Sequence, residues 1–377
     1  MTVQNRLEYE HVLQAVGICV STRIPVLLWG NPGEGKTAVV ESARLRGWHV
    51  ETLIVSHYEP SDFVGLPVVT AQGTVELAPP DWAKRLASTT GPAIAFFDEF
   101  STAAPALQAA ALRPLTHHQV GSLILPPTVS FVAAANPADV AAAGWELAAP
   151  TANRFVHLDW SLPLDVYGES LVTGIWPSLP VYADVPDLAP HLTTELVQVA
   201  GFLRARQSQL SAIPHGADAR GRAFPTPRTW EYAARLLAFA AAVGAPNEVR
   251  RLLATGCVGE STAHEYLAWV ASLDLPDPEV LLADVAHASF AGLRADRVYV
   301  VLQSVLSAVM YERTARRWAD AVRLCAKAAA LVGIDPAVPV VRALVRDGVR
   351  PSGAPIPSEI SVFAGTLALA GLLPGSL

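Results

Sequence analysis

The segment Gly30-Asn31-Pro32-Gly33-Glu34-Gly35-Lys36-Thr37 constrains this chain more than any other. An apolar stretch from Pro25 to Trp29 leads into it, and Ala38, Val39 and Val40 carry it on in a helical pattern. Gly30, Gly33 and Gly35 let the backbone take conformations closed to other residues and leave N–H groups bare. A helix starting near Gly35 adds further N–H groups and the positive end of its dipole. The spacing G-x-x-x-x-G-K-[ST] therefore predicts a concave phosphate site built from Asn31, Pro32, Gly33, Glu34, Gly35, Lys36, Thr37 and Ala38. In that pattern Lys36 reaches the β- and γ-phosphates and the Thr37 hydroxyl ligates Mg²⁺. By itself a glycine-rich strand-to-helix turn can also bind nothing, so the partner motifs matter.

A strand-loop-helix of this kind commits its surroundings to an α/β layer. Residues 1 to about 160 fit one, with strands predicted at Val26–Trp29, His49–Val55, Ala93–Phe97, Val129–Ala135 and Phe155–Asp159. Helical patterns lie between them, notably Gly35–Arg46 and Ala103–Thr116. Two β-rich runs around Ala71-Gln72-Gly73 read as an inserted hairpin, and "HHQVGSLILPPTVSF" as a second one leading into the fourth strand. Residues 161–192 are proline-rich and read as a linker. Beyond them the pattern is helical at Thr193–Leu210, Pro227–Val243, Pro246–Ala254, Arg297–Arg313 and Thr314–Val332. The expected organisation is a core over 1–160, the linker, a helical region over 193–300 and a C-terminal helical region over 301–377. The last stretch is a proline-punctuated linker ending in a short apolar segment, expected to pack on the body of the protein or on a neighbouring subunit.

Three further elements carry chemistry. In "AIAFFDEF" the run Ile94 to Phe97 reads as a buried parallel strand, and Asp98 and Glu99 emerge at its carboxyl end. Ligands bind at that end of open α/β sheets. Behind a matched phosphate loop, Asp98 is placed to hold Mg²⁺ and Glu99 to polarise an attacking water. Alone, the pair would be an ordinary acidic turn. In "FVAAANP", Asn136 ends an apolar strand just before Pro137, so its amide is free to meet a γ-phosphate or a water. Arg154 stands just before the fifth strand and Arg228 in the first turn of a later helix. A cation at either position could stabilise charge during phosphoryl transfer. Spacing alone assigns neither, since arginines at element boundaries are usually surface cations.

The order GNPGEGKT, FFDEF, AAANP, ANRF and TPRTWEYAARLL resembles the AAA+ superfamily, and within it the MoxR-like ATPases of the chelatase clade. "YEPSDFVGLPVV" is similar to the segment after the second strand in that family, and the two hairpins match its helix-2 and pre-sensor-1 insertions. The similarity covers roughly residues 8 to 245. It implies a P-loop αβα core with a five-stranded parallel sheet, an α-helical lid with further C-terminal helices, and a ring, usually a hexamer, with ATP between neighbours. By the same resemblance Asn136 is sensor 1, and Arg228 is sensor 2 acting on its own subunit's nucleotide. Arg154 is the arginine finger in the next subunit's site, and Arg113 is a second candidate for that contact. One departure stands out. Where the family has Asn-Arg after the acidic pair, this chain has Phe100-Ser101-Thr102, which bears on signalling between subunits more than on hydrolysis.

Composition narrows the rest. Only 16% of the residues are charged and 51% are hydrophobic, much of the latter alanine, which favours closely packed helices. The net charge of −7 with no basic block leans away from nucleic acid and towards protein partners. No apolar run reaches membrane-spanning length, and "MTVQNRLEYE" lacks a signal-peptide layout. Cys19, Cys257 and Cys325 are far apart and odd in number, which fits a reducing cytoplasm. His117-His118 reads as structural, because adjacent side chains diverge and no third ligand follows. His57 and Glu59 read equally well as surface loop. The resulting expectation is an Mg²⁺-dependent ATPase ring that remodels a separate partner protein, one with a von Willebrand A domain by the resemblance. Competing expectations are a nucleic-acid motor and a nucleotide-gated scaffold.

Overall fold

The computed structural model describes residues 2–137, 144–182, 187–273, 275–346 and 348–372. By contact the chain forms two compact units, Met1–Leu192 with Ser208–Glu265, and Thr193–Gln207 with Tyr266–Leu377.

The first unit is built on a five-stranded parallel sheet. Its strands are β1 (Val26–Trp29), β2 (His49–Ile54), β3 (Ala93–Asp98), β4 (Val129–Ala135) and β5 (Val156–Asp159), in the spatial order β2-β3-β4-β1-β5. β1 and β4 are buried along their whole length, as are the first five residues of β3, the pattern of strands covered on both faces. Alternation sorts their side chains: Ala93, Ala95 and Phe97 join Leu27, Trp29, Ala133 and Ala135 in one core layer. Phe63, Trp82, Phe100, Phe131 and Phe155 fill that layer, with Phe63 and Phe97 packed edge-to-face at 5.5 Å. These strands match the sequence expectation to within a residue at each end.

The helices relevant below are α1 (Thr2–Thr22), α2 (Lys36–Glu41), α3 (Pro105–His117), α4 (Leu164–Thr173), α5 (Pro227–Ala242), α6 (Asn247–Val258), α7 (Ala295–Tyr311) and α8 (Ala315–Val332). The predicted helix Gly35–Arg46 divides into α2 and a 3-10 turn over Ser42–Arg46. Both hairpins are present, Leu66–Val69 with Val75–Ala78 and Gln119–Val120 with Leu123–Ile124. Inside the stretch read as a linker, α4 is helical, while residues 183–186 lie outside the described residues. α6 lies against β5 with no clearance: a Cβ on Gly256 would come 2.6 Å from the His157 carbonyl oxygen.

The second unit is helical and has its own core around α7 and α8, including Phe290, Val301, Leu302, Val305, Trp318 and Leu324. Thr314 caps α8 through the Arg317 N–H, and the Trp318 indole donates to the Leu344 carbonyl at 2.9 Å. In the terminal apolar segment Leu367 is buried in this core, and residues 373–377 lie outside the described residues.

Candidate nucleotide site

The phosphate loop follows β1 directly. Gly33 and Gly35 have φ of 82° and 77°, and a Cβ at either would meet nothing within 4 Å, so the loop faces open space. Gly30 is the opposite case. A Cβ there would lie 2.6 Å from the Trp160 carbonyl oxygen, so only glycine fits where β1 and β5 end side by side. The Trp160 indole then donates to the Glu34 carbonyl at 2.9 Å, tying the loop to the end of β5. Glu34 accepts from the Asn31 backbone and amide nitrogens at 3.3 and 3.1 Å, which closes the loop on itself.

Lys36 is 7% exposed, and its Nζ donates to the carbonyls of Gly30 at 2.6 Å and Asn31 at 2.7 Å, and to Asn136 Oδ1 at 3.3 Å. Burial lowers its pKa, opposed by the carboxylates of Glu34 and Asp98. The Thr37 hydroxyl donates to Asp98 Oδ2 at 2.7 Å. A hydroxyl and a carboxylate side by side next to Lys36 are the hard oxygen donors that suit Mg²⁺. Among the described residues there is no group of three or more His, Cys, Asp or Glu that could hold a metal. Glu99 is exposed, has φ 54°, and accepts from the Ser56 hydroxyl at 2.9 Å. Ser101 steadies Asn136: its hydroxyl donates to the Asn136 carbonyl at 3.2 Å and accepts from the Asn136 N–H at 3.0 Å.

The structure thus brings Lys36, Thr37, Asp98, Glu99 and Asn136 together at the carboxyl ends of β1, β3 and β4. The arginines form a separate group. Arg154 Nε donates to Thr116 Oγ1 at 2.8 Å and its guanidinium also reaches the Pro150 carbonyl. Burial lowers the Arg154 pKa, and the charge of Arg228 lowers it further. Arg228 donates to Asn153 Oδ1 at 3.5 Å, the atom that also accepts from Thr226 Oγ1 at 3.0 Å. Thr226 and Thr229 form a reciprocal capping box that fixes the first turn of α5 and so the position of Arg228. Arg113 reaches the second hairpin at the Gly121 carbonyl, 3.4 Å away. His57 and Glu59 are exposed on the loop after β2, and His118 is the left-handed cap of α3, its ring edge-on to Phe131.

Sequence reasoning missed the groups that join these two clusters. The Trp29 indole donates to His157 Nδ1 at 2.9 Å. An indole N–H can only donate, so the imidazole proton sits on Nε2, which donates to the Ala152 carbonyl at 2.9 Å. Burial pushes the His157 pKa down to about 4, so the ring is neutral. Arg222 covers the Trp29 ring at 4.3 Å and pairs with Asp159 at 2.8 Å. Only the register of β1 against β5, Leu27 beside His157, could have brought Trp29 and His157 to notice.

What this strand order and loop define is an αβα core of the AAA+ kind with a five-stranded parallel sheet, followed by a helical C-terminal region. Comparison with known families agrees over the core: residues 25–155 match the AAA domain (dynein-related subfamily). No curated protein matches the chain. A crystal structure of a "putative ATPase" from Cytophaga hutchinsonii is similar at 16% identity, over 71% of this chain and 95% of that one, with a TM-score of 0.39. A likeness that slight adds nothing to the assignment. No helix among the described residues is long and apolar enough to cross a membrane.

Proposed function

We propose that the chain is an Mg²⁺-dependent ATPase that works as a ring in the cytoplasm and remodels a partner protein. The observation that carries the reading is the assembled set Lys36–Asn136, Thr37–Asp98 and Ser56–Glu99 at one end of the sheet. The loop N–H groups and Lys36 bind the β- and γ-phosphates, and a cavity of about 1200 Å³ lined by Tyr9, Asp159 and Leu164 offers room for base and ribose. Thr37 and Asp98 hold the metal, which when bound supplies Lewis-acid stabilisation of the phosphoryl oxygens. Glu99 takes a proton from water as the water oxygen bonds to the γ-phosphorus. The bond to the β,γ-bridging oxygen breaks and ADP leaves with that electron pair. Asn136 orients the water or the γ-phosphate.

Arg154 and Arg228 stand with each other and with Asn153, and none of their hydrogen bonds reaches the phosphate loop. Two like charges held together stabilise an anion that arrives from outside. This supports a trans role for Arg154. It favours Arg228 joining Arg154 in a neighbouring copy's site over a role on its own subunit's phosphate.

The test is ATP turnover per subunit as a function of protein concentration, with and without Mg²⁺. The reading requires Mg²⁺-dependent turnover that rises with concentration, and a concentration-independent rate from a monomer would sink the ring. Glu99→Gln, loaded with ATP, should then retain a protein client from native extract. Retention of nucleic acid would favour the motor reading, and self-assembly without turnover in the unaltered chain would favour the scaffold.

A further inference from the structure

One buried hydroxyl joins the ends of β3 and β4. Asn136 stands one residue past Ala135, the last position at which β4 pairs with β1. Its N–H and carbonyl therefore need partners outside the ladder. Ser101 Oγ meets both needs, donating to the carbonyl at 3.2 Å and accepting from the N–H at 3.0 Å. A hydroxyl both donates and accepts, so one atom serves both groups. Ser101 is 2% exposed. Phe100 before it is fully buried, stacked on Phe97 and edge-on to Phe155, so the turn that carries Ser101 is anchored in the core.

The same turn begins at Glu99. Thr102 closes on the Glu99 carbonyl, its N–H donating at 3.1 Å and its hydroxyl at 2.7 Å. The Ser101 carbonyl accepts from the Trp145 N–H at 2.8 Å. None of these bonds uses the Ser101 hydroxyl, so the turn is held without it. The hydroxyl is instead a direct link from the turn of Glu99 to the backbone of Asn136, whose Oδ1 accepts from Lys36 Nζ at 3.3 Å. We propose that Ser101 is a positioning residue for hydrolysis. It sets the place of the Asn136 amide against the Glu99 carboxylate, and so the line along which water meets the γ-phosphorus. The inference rests on the roles of Glu99 and Asn136 proposed above. Ser101 needs no contact with nucleotide or water; it acts through Asn136.

The test measures ATP affinity, and kcat at saturating ATP and Mg²⁺, for the unaltered full-length chain, Ser101→Ala, Asn136→Ala and the double variant, all at one protein concentration. Ser101→Ala should bind ATP as the unaltered chain does, because Lys36 and the loop keep their own contacts. Its kcat should fall about 10- to 100-fold, the scale of a catalytic group misplaced by about 1 Å. In the Asn136→Ala background the same substitution should cost nothing further, since the amide it places is gone. A purely structural role would lower the rate in both backgrounds alike. Ser101→Ala at full kcat would overturn the proposal, as would losses that multiply in the double variant. Should Ser101→Ala fail to bind ATP, Ser101→Cys keeps nearly the same volume and weakens both hydrogen bonds. It is then compared in the same two backgrounds and judged by the same two criteria. Failure of the unaltered chain to turn over ATP is the failure of the ATPase reading itself. Full kcat in Asn136→Ala would sink the role of Asn136, and that of Ser101 with it.

Discussion

The two halves of the proposed active site are built on opposite plans. Around the phosphate loop, Lys36, Thr37, Asp98 and Asn136 bond to one another, and the loop is locked between its own Glu34 and Trp160. The arginine half is tethered outward, Arg154 to Thr116 and Pro150, Arg228 to Asn153. The cross-links hold the donors of the first half around the loop, where phosphate and metal would exchange with the internal partners of Lys36 and Thr37. On the proposed reading, the half whose cations bond elsewhere is completed by a second molecule. Charge differs in the same sense: burial and the neighbouring charge of Arg228 lower the Arg154 pKa, whereas Lys36 has the carboxylates of Glu34 and Asp98 near it.

The contrast is broken most severely on the arginine side. Arg154→Ala should lower turnover by about 10³- to 10⁵-fold, leave ATP affinity unchanged and abolish the dependence of rate on protein concentration. Equilibrium nucleotide binding beside steady-state kinetics checks this. A rise in Kd of similar size would mean that Arg154 serves its own subunit. On the other half, Glu99→Gln should cost about 10²- to 10⁴-fold in turnover while ATP binding and assembly persist. Loss of binding instead would show that Glu99 shapes the pocket rather than activating water.

A third prediction concerns the Trp29–His157–Ala152 connection between the halves. As pH falls below about 6.5, the unfolded chain takes up a proton that folded His157, with its pKa near 4, refuses. The unfolded state then binds more protons, so stability falls with pH through the window from 6.5 to 4, by about 3 kcal/mol for this group. His157→Phe removes that slope. At neutral pH it costs about 1–3 kcal/mol by orphaning the Trp29 indole and the Ala152 carbonyl. Denaturant midpoints at pH 7 and pH 5 for both proteins give the comparison, and equal slopes would refute it. The smallest effect belongs to Thr226→Ala, which opens the capping box at the start of α5. A stability loss of about 1 kcal/mol is expected, with a drop in turnover because Arg228 loses its fixed position. An unchanged rate would mean that Arg228 does not need the cap.

The core was legible because its signals are local. β1, β3 and β4 are short apolar runs that end on Gly30, Asp98–Glu99 and Asn136, so strand and site could be read together. α1 was not read as a helix at all. From Ala15 to Ser21 every residue is buried, and a segment buried all round shows no periodicity. The pairs Ser56–Glu99 and Trp29–His157 were invisible for a different reason. They join segments far apart in the chain, Trp29 and His157 on neighbouring strands and Ser56 and Glu99 just past the ends of two others, and their meeting depends on register, which no single segment encodes. The placement of Arg228 beside Asn153 likewise follows from how α5 is capped and docked.

The backbone of Glu99 has one more consequence. With φ at 54°, this glutamate occupies a region that glycine and asparagine enter more readily, at a cost of about 1 kcal/mol for other side chains. Variants chosen for heat resistance alone should therefore drift to Gly or Asn at position 99, and lose the carboxylate in the process. In a population of such sequences, retention of Glu99 would be a mark of selection for turnover, and its replacement would be the first trace left when that selection is relaxed.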